Sequence, residues 1–267
     1  MEQGSFFKCR IAVEGRLLLI LTSLSAEKKP GNSDAVDYKS ICIFGVINIF
    51  DIEDYCSLEH TACREYLLSF SQPWLALREL KDYIRALGET LSKQEYDRYG
   101  RDVWIHKNTV VYPTAFVKGP CIIGRGSEVR HSAFIRGSAL IGENCVVGNS
   151  TEIKNSILFD SAQVPHFNYV GDSILGYKAH LGAGAITSNV KSDKSEVFLS
   201  CGTEKIPTGL KKFGALIGDR AEIGCGSVLC PGTVIGRNTT VYPLVRLRGT
   251  VDSDSIVKAE SITVRKV

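Results

Sequence analysis

Counting by six from Ile105 meets an aliphatic residue every time: Val111, Val117, Ile123, Val129, Ile135, Ile141, Val147 and Ile153. An amphipathic helix returns apolar residues every three or four positions and a half-buried strand every two, so neither element run continuously gives this spacing. A coil with three short flat sides does. Each six-residue unit then forms one side of a triangular prism with its aliphatic residue pointing inward, and successive coils stack as parallel strands. On that reading Ile105, Ile123 and Ile141 share one column of the core, and Val111, Val129 and Val147 another. The corners need small residues or residues that tolerate a left-handed backbone, which Gly124-Arg125-Gly126, Gly142-Glu143-Asn144 and Gly148-Asn149-Ser150 supply. The fold expected is mainly β: a left-handed parallel β-helix of hexapeptide repeats with a small N-terminal helical unit.

The period slips between Phe159 and Val170, resumes with Leu175 and Leu181, and runs cleanly again through Ile217, Ile223, Leu229, Ile235, Val241 and Leu247. Residues 188–213, between the two series, are polar and do not keep it. They read as a loop extruded from the prism, with a hairpin at 196–199 and 205–206, and a loop this long in a compact domain is more often functional than idle. Upstream, Leu77, Leu80, Ile84 and Leu87 mark a helix over 73–87, with Pro73 in its first turn and Gly88 placed to end it. Ser92-Lys93-Gln94-Glu95 matches a capping box and predicts a second short helix. The expected organisation is an N-terminal extension at 1–48, with a strand-like run at 41–50; a helical unit at 49–98 capping the open end of the prism; the β-helix at 99–251 with its loop at 188–213; and a C-terminal tail at 252–267.

The formal charge of +3 over 267 residues, without a block of like charges, gives no reason to expect a nucleic-acid or membrane partner. Nine cysteines, an odd number with no C-x-x-C pair, argue against a disulfide framework or a zinc site and for reduced thiols in the cytoplasm. Leu17-Leu18-Leu19-Ile20-Leu21 before Ser23-Leu24-Ser25-Ala26 echoes a signal peptide, but Glu14 lies where such a peptide is basic, so a buried strand or an unneeded N-terminal extension is the better reading. The run is too short to span a bilayer.

The chemistry-bearing residues gather where the period slips. Val147-Gly148-Asn149, Glu152-Ile153-Lys154, His166, Tyr169-Val170-Gly171-Asp172, Gly182-Ala183-Gly184 and Thr187-Ser188-Asn189 follow in order, with Arg136 eighteen residues before Lys154. This set resembles the acetyltransferase domain of the bifunctional N-acetylglucosamine-1-phosphate uridyltransferase/glucosamine-1-phosphate acetyltransferase family, with the same ungapped spacing of Lys154, His166, Tyr169 and Asn189. The resemblance implies acetyl transfer from acetyl-CoA to the amine of an amino-sugar 1-phosphate, with no metal required, in a homotrimer. It implies His166 as general base, a role that suits an imidazole because an ammonium must lose a proton before it attacks a thioester. It further implies that Arg136 and Lys154 hold the sugar phosphate, that Glu152 and Tyr169 contact the sugar, and that Asn189 lies near the amine. The Ala183 amide, flanked by glycines, would face the thioester oxyanion of the bound coenzyme.

The chain also departs from that pattern. Asn189 is followed by Val190-Lys191-Ser192, and the long loop brings lysines of which Lys194 is the first candidate for a substrate contact. His180 stands where the family has an asparagine. No glycine-rich nucleotide-binding loop precedes the repeats, so the uridyltransferase half is expected to be missing. A non-catalytic trimeric β-helix associated with a separate sugar-phosphate nucleotidyltransferase is the alternative. A carbonic-anhydrase-type metal site is disfavoured, since His131, His166 and His180 lack the required spacing.

Overall fold

The computed structural model describes residues 6–13, 16–28, 36–47, 50–201, 204–259 and 262–266. It divides into two units at Phe50 and Asp51. In the first, Phe6–Val13 pairs antiparallel with Arg16–Lys28, which pairs antiparallel with Val36–Ile47. The leucine-rich run is therefore a strand with partners on both sides; its side chains lie outside the described residues.

In the second unit the sixfold register becomes a parallel β-helix with three faces. Val103–His106, Cys121–Ile123, Ala139–Ile141, Ser156–Leu158, Ile174–Leu175, Ala215–Ile217, Thr233–Ile235 and Thr250–Val251 stack as the first face. The second runs from Val110–Val111 through Gln163–His166 and His180–Leu181 to Ser255–Ala259, and the third from Phe116–Val117 through Glu152–Lys154 and Tyr169–Gly171 to Arg246–Leu247. Ile105 pairs with Ile123 and Ile123 with Ile141, while Val111, Val129 and Val147 form the second column, as their spacing requires. Of the segment read as a tail, Ser255–Ala259 adds a rung to the second face, with Val257 buried in the core, and Ile262–Arg265 folds back antiparallel on it.

The apparent fault at 159–170 is not an interruption. Val164 pairs with Val147 and Val170 with Ile153, so the columns continue through it. What changes is the length of one side: Ile153 to Leu158 and Val170 to Leu175 are five residues instead of six, and Leu158 still pairs with both Ile141 and Leu175. Corner residues with positive φ, among them Asn155 at 48° and Asp172 at 50°, absorb the shortening.

The first face differs from the others in what points outward. Trp104, Ile122, Leu140, Ile157, Ile174, Leu216 and Val234 alternate with the inward residues of their strands, and every one of them is buried. Residues 51–90 provide the cover. The helical segment therefore lies along a side of the prism and not over its open end, where Val103, Ile105, Val111 and Val117 line a mouth of about 440 Å³. Backbone bonds fix the cover in place: Asp160 N–H donates to His60 carbonyl and Asp219 N–H to Tyr55 carbonyl, while Asp219 Oδ2 accepts Ser57 N–H at 2.7 Å.

Two helix expectations change. A single 3₁₀ turn at Pro73–Leu75 leads into Ala76–Thr90, so the helix runs past Gly88. That glycine is interior because the Trp104 ring lies against it, and a Cβ there would stand 2.5 Å from the indole. Ser92 Oγ does accept Gln94 N–H, but the turn it starts ends once Glu95 N–H and Tyr96 N–H have both donated to Ser92 carbonyl. Tyr96–Arg98 then pairs antiparallel with the first rung, since the edge of that rung offers a full ladder of partners and a second helical turn would forfeit them.

Nor is the 188–213 segment extruded. Its hairpin, Phe198–Cys201 with Glu204–Pro207, folds back over the upper rungs of the first face, where Val197, Leu199, Ile206 and Phe213 are buried. Trp74 Nε1 donates to Thr208 carbonyl at 3.2 Å and Thr250 Oγ1 to Ser200 carbonyl at 2.9 Å, which joins loop, helix and prism into one cover.

Candidate functional site

The third face presents, outside its core column, Phe134, Glu152, Tyr169 and Ile186 in successive rungs. Parallel stacking brings residues one coil apart to within a rung of each other, which is why Arg136 and Glu152 meet although sixteen positions separate them. The Arg136 guanidinium donates to Glu152 Oε1 at 2.6 Å on an exposed surface. One rung higher, Lys154 Nζ lies 2.9 Å from Asp172 Oδ2, with the lysine a quarter exposed and the aspartate side chain only 6% exposed. Asn155 Nδ2 donates to the other Asp172 oxygen at 2.8 Å, and Asn189 Nδ2 donates both to Asp172 Oδ2 and to the Tyr169 hydroxyl, the latter at 3.2 Å. Burial, reinforced by the charges of Asp172 and Glu152, raises the Tyr169 phenol above its ordinary value, so it stays protonated at neutral pH.

Five of the sequence-derived residues, Arg136, Glu152, Lys154, Tyr169 and Asn189, thus lie on or beside one face. His166 stands at the corner where the second face turns into the third. Its imidazole is exposed and makes no hydrogen bond or ion pair among the described residues. Its backbone is held firmly: the N–H donates to Asn168 Oδ1 at 3.1 Å and the carbonyl accepts Gly184 N–H at 3.0 Å. The Gly182-Ala183-Gly184 turn therefore sits one rung above the histidine, with Ala183 exposed and Gly184 at φ 72°. Asn168 Nδ2 ties that turn down through the carbonyls of Gly182 and Ala185, at 2.8 and 3.1 Å.

Lys194 does not join the group. It occupies an exposed turn of the loop at φ 55°, whereas Lys191 is the anchored lysine, 2.5 Å from Ser195 Oγ. His180 lies on the second face with Nδ1 2.7 Å from Glu222 Oε2. Sequence reasoning gave no role to two residues that organise the site, Asp172 and Asn168. Asp172 carried a signal, being an acidic residue eighteen positions after a lysine in a chain that repeats at that interval. No group of three or more His, Cys, Asp or Glu residues suited to a metal occurs among the described residues.

Residues 117–198 match the family described as GMPPB C-terminal domain, and residues 214–249 match bacterial transferase hexapeptide, six repeats. The hexapeptide match thus covers the upper rungs of the prism. The chain is 36% identical over 111 residues to the bifunctional protein GlmU of Methanococcus aeolicus, covering 41% of this chain and 27% of that protein. To the bifunctional sugar-1-phosphate nucleotidylyltransferase/acetyltransferase of Sulfurisphaera tokodaii it is 33% identical over 88 residues, covering 33% of this chain and 22% of that protein. The likeness thus spans about a quarter of these relatives' length. Among solved structures, a variant of perosamine N-acetyltransferase from Caulobacter crescentus in complex with CoA and GDP-perosamine is 21% identical, with a TM-score of 0.30, over 58% of this chain and 51% of that one. The acetyltransferase domain of PglB from Neisseria gonorrhoeae, in complex with acetyl coenzyme A, is 19% identical, with a TM-score of 0.27, over 58% and 53%.

Proposed function

We propose that this hexapeptide-repeat protein transfers an acyl group from acyl-CoA, acetyl-CoA first, to the amine of an amino-sugar 1-phosphate such as glucosamine 1-phosphate. The observation that carries the reading is the convergence of two cations, two carboxylates, a phenol and an amide on one face, beside a corner where His166 lies directly beneath the Ala183 turn. Phosphate recognition calls for cations, and Arg136 adds a planar fork that Lys154 lacks. Hydroxyl recognition calls for groups such as Glu152, Tyr169 and Asn189.

The chemistry follows from those groups. His166 accepts a proton from the acceptor's ammonium, and the freed amine attacks the thioester carbonyl carbon. The Ala183 N–H faces the oxygen as it gains charge. The C–S bond then breaks as the attacking nitrogen gives up its second proton and the leaving sulfur takes it, so the products are an amide, the thiol form of CoA and the proton held by His166.

The protein works as a homotrimer in this reading. Phe116 and Phe134, their rings tilted at 53° with centroids 5.8 Å apart, are both exposed on the third face, as is Ile186 three rungs above Phe134. An apolar strip beside an open, single-sided cluster is what a neighbouring prism would cover. The thiols of Cys56, Cys63, Cys121, Cys145, Cys225 and Cys230 are free, which suits the cytoplasm. Among the described residues no helix is long and apolar enough to cross a membrane.

The test is direct. Purified protein is incubated with acetyl-CoA and a panel of amino-sugar phosphates, and products are identified by mass spectrometry; an N-acetylated sugar phosphate is expected. Absence of any acetylated product, with no calorimetric binding of CoA, would leave the prism a non-catalytic module.

A further inference from the structure

Most of the ties in the site pass through Asp172. Its carboxylate accepts from Lys154 at 2.9 Å, from Asn155 at 2.8 Å and from Asn189. Its backbone N–H donates to Lys154 carbonyl at 2.9 Å, and its carbonyl accepts Gly214 N–H at 2.8 Å. One residue therefore joins the coil below, the residue at which the chain leaves for its long loop, and the residue at which it returns. Phe213 N–H, bonded to Asn189 carbonyl at 3.0 Å, closes the root of that loop just above.

The charges are matched one to one, but unequally. The Arg136–Glu152 pair is exposed, so solvent screens it and an arriving anion displaces the carboxylate at little cost. The Lys154–Asp172 pair is largely enclosed, and Asp172 has three side-chain donors around it. A carboxylate held in this way stays where it is. An anion approaching Lys154 then meets a cation already opposed by a fixed negative charge, while the same charge sets the orientation of Asn189 and, through it, the Tyr169 hydroxyl.

We propose that Asp172 is a positioning residue whose negative charge orients Lys154 and Asn189 for turnover and, by opposing Lys154, keeps the phosphate of the acceptor and product loosely held. This rests on the reading of Arg136 and Lys154 as the phosphate-holding cations. A neutral side chain at 172 should therefore bind phosphate more tightly and turn over more slowly, a pairing that simple damage to the site would not produce.

Asp172→Asn keeps shape and removes charge, and Asn tolerates this backbone: Asn155 stands at the same corner one coil below at φ 48°, and Asn144 and Asn238 at other corners at φ 54° and 55°. Asp172→Ser is the second variant, since Ser132, Ser138, Ser150 and Ser161 do the same at 51–61°. Calorimetry with inorganic phosphate and with glucosamine 1-phosphate, without CoA, should show binding about 3–10-fold tighter in either variant. With acetyl-CoA present, kcat should fall about tenfold or more and KM for the acceptor should fall with it. Phosphate affinity that is unchanged or weaker in folded variants overturns the assignment, and so does tighter binding with an undiminished kcat. If wild-type protein acetylates nothing, the phosphate arm decides alone, and tighter binding upholds Asp172 while the acyltransferase reading falls. If wild-type protein acetylates its acceptor and neither variant gains phosphate affinity, the reading stands and this assignment falls.

Discussion

The carbonyl of His166 accepts the N–H of Gly184 at 3.0 Å, so the backbone that would bear the oxyanion donor is stacked on the backbone that bears the candidate base. In the proposed reaction the base acts on the attacking amine and the Ala183 N–H on the carbonyl it attacks, and the two are held at a common rung spacing. Their relative height is set by sheet geometry and not by side-chain packing.

His166→Ala tests the base. Acetyl transfer should fall by about 10²–10⁴, the range over which general bases act. Because the imidazole is exposed and without a partner among the described residues, stability should move by no more than about 0.5 kcal/mol. Full turnover in a folded variant would dismiss His166.

The aromatic pair on the third face tests assembly. Wild-type protein should run as a trimer in light scattering, and Phe116→Ser with Phe134→Ser should shift it towards monomer and remove activity along with the trimer. A monomeric wild type with full activity would show that one prism suffices.

Gly88→Ala should lower the thermal midpoint although alanine is the better helix former. The propensity gain is about 1 kcal/mol, whereas driving a methyl into the Trp104 ring costs about 1–3 kcal/mol unless the indole moves. A differential scan showing a raised midpoint would mean that the indole yields freely.

Stability should fall in alkali, because burial pushes the thiols of Cys63 and Cys145 up to about 12. In the unfolded chain a thiol titrates near about 8.5, so the contribution of these neutral thiols is complete below that pH and is lost as pH rises from there through about 12. Each should steepen the decline by about 1.4 kcal/mol per pH unit within that window. Replacing both by alanine should flatten urea-derived stability between about pH 9 and 11; an unchanged slope would place the alkaline loss elsewhere.

The core was legible because each coil repeats one demand, an inward aliphatic side chain at the middle of each side, and Ile105, Ile123 and Ile141 meet it without exception. The five-residue sides were not, since shortening is absorbed at corners such as Asn155 and Asp172 whose left-handed backbone leaves little mark in sequence. The cover of the first face was written in plain sight. Isoleucine or leucine at 122, 140, 157, 174 and 216, each just before an inward residue, makes a second apolar column that a solvated face would not carry. A search by sixes sees one aliphatic per unit and ignores its neighbour.

Within the site, Lys154, Tyr169 and Asn189 came from ordered spacing, and stacking explains why spacing sufficed: residues about one coil apart become neighbours. Lys194 lies in a segment without a register, and nothing in its sequence neighbourhood fixed which of the loop's lysines would be tied down. Ser92 and Glu95 satisfied a helix signal that is local, and the edge of the first rung outweighed it.

Leu175 and Ile217 are neighbours in one column although 42 residues separate them, where other coils use 16 to 18. To the stack, that excursion is a single step. Chain length at a corner is thus invisible to the inward column, whatever the excursion itself covers on the outer side of the first face. Such a scaffold can change what it recognises by changing one excursion, while the ladder that aligns the reacting groups is inherited intact.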